Sequence, residues 1–183
     1  RGRGVPEARK LEVAEHYAAF GGVSPINDQC RALIAAVETE FAAHDIDLPV
    51  YWGNRNWHPM LTDTLRTMRE DGVKRALSFV PSAYSSYSGC RQYREDISSA
   101  QQALGNGVPE VDKIRAFYNH PGFVTANSDG LKQALAAFPE GAGQAAIAPR
   151  VMFTAHSIPM SMADRCDYLE QLQETSRLVA DAA

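Results

Sequence analysis

The sequence has 183 residues, 45% of them hydrophobic and 22% charged, which excludes a disordered tail, a collagen-like repeat or a low-complexity polymer. Eighteen basic residues against 22 acidic ones leave a formal charge of −4, so the chain lacks the basic field that grips nucleic acid. No apolar run approaches the roughly 20 residues that span a bilayer, which argues against stable membrane insertion.

No signal-peptide pattern opens the chain, and the three cysteines, Cys30, Cys90 and Cys166, are odd in number and widely spaced. They make no disulfide framework, and a reducing cytoplasm is the expected setting. Arg1 stands where a Met would begin a chain, and the helical pattern before Ala183 has no stop signal, so the sequence reads as a piece cut at both ends.

In chain order, residues 6–20 and 26–44 predict helices, separated by the turn Gly21-Gly22-Val23-Ser24-Pro25. In the second, Ile26, Cys30, Leu33, Ile34, Val37 and Phe41 recur at spacings of three and four and make one apolar stripe. Residues 48–52 predict a strand rich in β-formers, ended by Gly53. The order then repeats: helix at 59–71, strand at 75–80, helix at 89–104, strand at 113–117 and helix at 121–138, the last loosened by Asn127-Ser128-Asp129-Gly130. A loop at 139–143, a strand at 151–155 and a helix at 168–183 complete the chain.

Strands alternating with long helices predict an α/β fold, a mainly parallel sheet with helices on both faces. Nothing divides the chain, so residues 1–183 are expected to form one domain. Ligands of such sheets bind beyond the carboxyl ends of the strands. That directs attention to the loops at 53–58, 81–88, 118–121 and 156–160.

No G-x-G-x-x-G or P-loop pattern occurs, which removes the usual phosphate cradles. No C-x-x-C pair supports a structural zinc site. A G-x-S-x-G elbow is absent too, although Ser24, Ser157 and His156 leave a hydrolase open. The strongest local feature is Phe153-Thr154-Ala155-His156-Ser157-Ile158-Pro159, where a buried strand would deliver a histidine at its carboxyl end. Neutral imidazole there can bind a metal or accept a proton near pH 7. A histidine satisfied by local backbone groups is the plainer alternative, and it is the better reading of His16, His44, His58 and His120.

A second feature, residues 83–93, gathers serines, tyrosines and Arg91 at a helix N-terminus. It reads either as a carboxylate or phosphate site or as a loop whose serines cap the helix. A third, Gly22-Val23-Ser24-Pro25-Ile26-Asn27, reads as a helix cap.

Together these segments resemble ferrochelatase, the family that inserts iron into a porphyrin, along the whole chain. His16 through Asn27 is similar to the family's segment that closes over the macrocycle, and Pro49 through Trp57 to its first-half strand and loop. Phe153 through Pro159 matches the signature around the catalytic histidine. Residues 83–93, ending Gly89-Cys90-Arg91-Gln92-Tyr93, are similar to the actinobacterial branch of coproporphyrin III ferrochelatases.

The resemblance implies a three-layer, Rossmann-like chelatase half-fold. It implies His156 as the iron-site and catalytic histidine, and Ser24, Tyr93 and Tyr17 as porphyrin contacts. His16 stands beside Tyr17 where relatives often carry Arg-Tyr, and Arg1 falls in an arginine-bearing loop. The family's first strand would precede residue 1, and its catalytic glutamate would follow residue 183. The implied substrates are ferrous iron and coproporphyrin III, alternatively protoporphyrin IX, handled by a protein that is monomeric when full length. Some relatives carry a [2Fe–2S] cluster, for which Cys90 would be the first ligand here and Cys166 a second candidate. Cys30 reads as core. A non-catalytic tetrapyrrole-binding module on the same half-fold is the alternative function.

Overall fold

The computed structural model describes residues 6–138 and 149–183, which fall into two units, Arg1–Tyr51 and Trp52–Ala183. The predicted loop at 139–143 and Arg1 lie outside the described residues.

The first unit holds two helices, α1 (Glu7–Ala18) and α2 (Ile26–Ala43). Cys30, Ile34, Val37 and Phe41 of the predicted stripe are half-buried, whereas Ile26 and Leu33 remain 59% and 42% exposed.

The second unit begins with α3 (Leu61–Glu70), whose Leu65 and Met68 sit on one face and are 2% and 8% exposed. Full burial of one such side chain contributes about 1.5–3 kcal/mol. The helix ends at Gly72, whose φ of +78° suits a residue without Cβ, and Val73 N donates back to Met68 O at 2.9 Å. β1 (Arg75–Ser78) follows, then a π-helical turn at Tyr87–Arg91, α4 (Gln92–Leu104) and β2 (Glu110–Lys113). The strands pair in parallel, Ala76 opposite Val111 and Leu77 opposite Asp112. Arg75 Nη2 clamps the Asp112 carboxylate at 2.8 Å across the ladder. A parallel pair with a helical crossover is the βαβ unit that the alternation predicts, so the chain is α/β.

α3 packs on α4, burying Ile97 and Ala100 beside Leu65 and Met68 in the core. α5 (Pro121–Ala136), the single-turn α6 (Met160–Ala163) and α7 (Tyr168–Ala182) follow, and α5 packs on α7.

The strand order departs from expectation at three places. Residues 48–52 and 151–155 form no ladder among the described residues, and Val151, Met152 and Phe153 are 47%, 84% and 46% exposed. A strand exists only where a neighbouring strand pairs with its N–H and C=O groups; Trp52 O instead accepts from the Thr64 hydroxyl at 2.8 Å. The strand expected at 113–117 is β2 at Glu110–Lys113, shifted because its register is set by β1. α5 also runs unbroken through Asn127-Ser128-Asp129-Gly130. The Ser128 hydroxyl donates to Thr125 O at 3.0 Å and Asn127 Nδ2 to Phe123 O at 2.7 Å, so both polar side chains are satisfied by the helix itself. Among the described residues no helix is long and apolar enough to cross a membrane.

Candidate functional site

Three buried side chains line the inner face of α7 at intervals of four residues: Gln171, Thr175 and Val179, 8%, 6% and 2% exposed. Two of them are polar, and each finds a backbone partner. Gln171 Oε1 accepts from Ser85 N at 2.7 Å, and the Thr175 hydroxyl donates to Tyr118 O at 2.8 Å. One turn earlier, the Tyr168 hydroxyl donates to His156 O at 2.9 Å. α7 thereby holds three of the loops that follow the predicted strands, those carrying Ser85, Tyr118 and His156.

Aromatic rings connect the same loops. The Tyr168 ring meets Tyr84 edge-on at 6.0 Å, Tyr84 meets Phe123 at 6.3 Å, and Phe123 meets Phe117 at 5.4 Å. Phe117 stacks on Phe79, just beyond β1, at 5.2 Å. These separations fall in the favourable range for ring pairs.

The loop at 83–93 is built around a cap. Ser86 is extended and its Oγ accepts from Gly89 N at 2.9 Å, while its carbonyl accepts from Cys90 N at 2.9 Å. That is the capping role, the plainer of the two readings of these serines. Gly89 is required by crowding: a Cβ there would lie 2.8 Å from Ser82 Oγ and 3.3 Å from Tyr84 O. Ser85 Oγ is buried with no hydrogen-bond partner among the described residues. The Tyr87 hydroxyl donates to Glu95 at 2.9 Å and Arg91 Nε to the same carboxylate at 2.8 Å. These two donors, Tyr87 first, hold Glu95 below its usual range, and the carboxylate in turn raises Tyr87.

Tyr93 is half-buried under the Arg55 guanidinium, 4.8 Å from the ring centroid, and Arg55 is also paired with Asp96. A cavity of about 220 Å³ opens beside Arg55 and Asp96, bordered by Asn54, Thr62 and Ser99. His156 lies on an exposed segment. Among the described residues no hydrogen bond or ring contact joins it directly to Tyr93.

Ser24, His16 and Tyr17 belong to the first unit. Ser24 Oγ accepts from Ile26 N at 3.4 Å, a long local contact that leaves its hydroxyl hydrogen free to donate elsewhere. His16 is exposed in the last turn of α1, and Tyr17 beside it is 46% exposed.

The three cysteines are free, and Cys166 Sγ is turned onto Met162 O at 3.3 Å. A [2Fe–2S] group takes four ligands, yet no cluster of three metal-ligating side chains occurs among the described residues. The cysteines present therefore do not by themselves fit that group, and no chemical step is derived through it.

The ferrochelatase family profile matches residues 2–183. The chain belongs to the ferrochelatase family. A ferrochelatase of Rhodopirellula baltica is 57% identical over 182 residues, covering 100% of this chain and 51% of the relative. The coproporphyrin III ferrochelatase of Streptomyces coelicolor is 50% identical over 195 residues, with 100% and 51% covered. That of Streptomyces griseus is 52% identical over 184 residues, with 99% and 48% covered. The chain thus spans about half the length of the curated relatives it matches.

Three residues of this ferrochelatase-family chain were not marked as site residues by the sequence: Arg55, Gln171 and Tyr168. Arg55 carried a signal, a cation in a loop after an apolar run. Gln171 interrupts the apolar face of its helix, and a polar residue at such a position needs a buried partner. Tyr168 carried none, because a tyrosine on a helix face reads as packing.

Proposed function

We propose that the whole protein is a ferrochelatase of haem biosynthesis that inserts ferrous iron into coproporphyrin III. The observation that carries the reading is the match of the entire chain, at 50% and 52% identity, to relatives named coproporphyrin III ferrochelatases. Residues 1–183 contribute one cytoplasmic α/β domain, a parallel sheet covered by helices on both faces.

A porphyrin loses two pyrrole protons as a divalent cation enters, so the site needs a group that accepts protons near neutrality. His156 is that group, or hands the iron over, according to its protonation. Ser24 and Tyr93 donate hydrogen bonds to the propionates and set the ring's register, and Tyr17 is a further porphyrin contact. Two facts support these roles: the Ser24 hydroxyl hydrogen is free, and Tyr17 is 46% exposed.

Anaerobic titration of the whole protein with coproporphyrin III, then with ferrous iron, tests the reading by the porphyrin's absorbance. Binding followed by insertion supports it, and binding alone makes the protein a tetrapyrrole carrier. Neither result returns attention to Ser157 and His156 as a hydrolase pair. Because one relative is named simply ferrochelatase, the same titration with protoporphyrin IX decides the substrate. The His156→Ala protein binds coproporphyrin with a modest loss and inserts no iron. Near-normal insertion by that variant removes His156 from the chemistry.

A further inference from the structure

His156 stands in a segment tied to α7 by a single phenol. Residues 151–158 form no helix or ladder, and His156 and Ser157 are exposed. Among the described residues, the one hydrogen bond to residues 149–158 is that from the Tyr168 hydroxyl to His156 O, at 2.9 Å. That bond fixes the carbonyl from which the imidazole is carried, and a proton transfer needs heavy atoms within about 2.6–3.2 Å.

Tyr168 is itself well fixed. Its ring stands edge-on to Tyr84, and its helix is fastened one turn later through Gln171 to the amide of Ser85. Tyr84 and Ser85 open the same loop that leads through Cys90 into Tyr93. A rigid donor on a regular helix, tied to one loop and bonded to the histidine of another, fixes one relative to the other.

We infer that Tyr168 is a positioning residue for His156, acting through the backbone carbonyl rather than touching substrate. The inference rests on the chelatase reading for its catalytic consequence, and on the hydrogen bond alone for its structural one. Tyr168→Phe in the whole protein keeps the ring against Tyr84 and removes only the donor. The loss of one such bond corresponds to a fall in kcat of about three- to tenfold. KM for the porphyrin stays within about twofold, since Tyr168 makes no substrate contact, and the melting temperature stays near that of the parent.

A second readout needs no activity. In histidine-labelled protein the His156 ring resonance, assigned by its loss in His156→Ala, shifts or broadens in Tyr168→Phe while the other histidine signals stay. An unchanged His156 resonance overturns the inference whether or not the protein inserts iron. An unchanged kcat in an active enzyme, or a KM that moves instead of kcat, overturns it equally. If the wild-type protein inserts no metal, the chelatase reading falls, and the resonance alone then decides the role of Tyr168.

Discussion

Gln171 and Ser85 are 86 positions apart in sequence, and the carboxamide oxygen of one accepts the backbone N–H of the other at 2.7 Å. Gln171 is 8% exposed, and Ser85 Oγ is buried without a partner among the described residues. Gln171→Leu would leave the Ser85 amide unpaired next to that hydroxyl. The expected cost is about 1–3 kcal/mol, read as a lower urea midpoint with unchanged slope. Gln173→Leu, on the exposed side of the same helix, stays within about 0.5 kcal/mol of the parent. Equal effects of the two changes would show that the buried bond contributes nothing.

Gly89→Ala tests the crowding inside the π-helical turn. The new methyl would stand 2.8 Å from Ser82 Oγ and 3.2 Å from Ser86 Oγ, the oxygen that caps the turn. Either the cap or the turn must shift, at a cost of about 1–3 kcal/mol. The variant should also make the Cys90 thiol more reactive toward a maleimide, because Cys90 N bonds to Ser86 O. A stable variant with parental thiol reactivity would mean that the turn has room the geometry denies.

Porphyrin recognition supplies the third test. Ser24→Ala and Tyr93→Phe each weaken coproporphyrin III binding by about 1 kcal/mol if their hydroxyls hold propionates. Tyr93→Phe keeps the aromatic face under Arg55, so folding is spared. With esterified propionates both losses should shrink. Equal losses for acid and ester would assign the hydroxyls another task.

The Tyr87–Glu95–Arg91 cluster makes stability depend on pH at both ends. Glu95 is lowered from 4.5 by the Tyr87 hydroxyl and Arg91, so its contribution is present above that value and disappears as pH falls through the depressed one. Tyr87 is raised from 10.0 by Glu95, so its contribution is complete below that value and lost as pH rises through the elevated one. Glu95→Gln should flatten both flanks of the stability profile, whereas Tyr87→Phe should flatten the alkaline flank and only part of the acid one, since Arg91 still lowers Glu95. Profiles that overlay the parent would show the cluster to be fully screened by solvent. That outcome is a fair contest, because all three groups are exposed and such surface contacts are weak.

The helices were largely legible in the sequence because their hydrogen bonds are local. α2, α3, α5 and α7 begin and end within a few residues of where periodicity and turn residues put them. The strands were legible only where a partner follows in the same unit. β1 starts at Arg75 as expected, whereas residues 151–155 look like a strand by composition and pair with nothing described. The π-helical turn was hidden, since Ser86 and Gly89 signal a cap but not the extra residue in the turn. His156 was singled out by its motif alone. The Tyr168 phenol that holds it comes from twelve residues further on, a separation that no local pattern reports.

Among the described residues, the three polar contacts that α7 extends to neighbouring loops end on main-chain atoms: Ser85 N, Tyr118 O and His156 O. A scaffold that grips backbone is indifferent to what the gripped residue carries. A change of side chain at position 156, to cysteine, aspartate or methionine, leaves the carbonyl that Tyr168 bonds chemically unaltered. On the proposed chelatase reading, this makes position 156 a socket whose side chain can be varied separately from the frame that presents it.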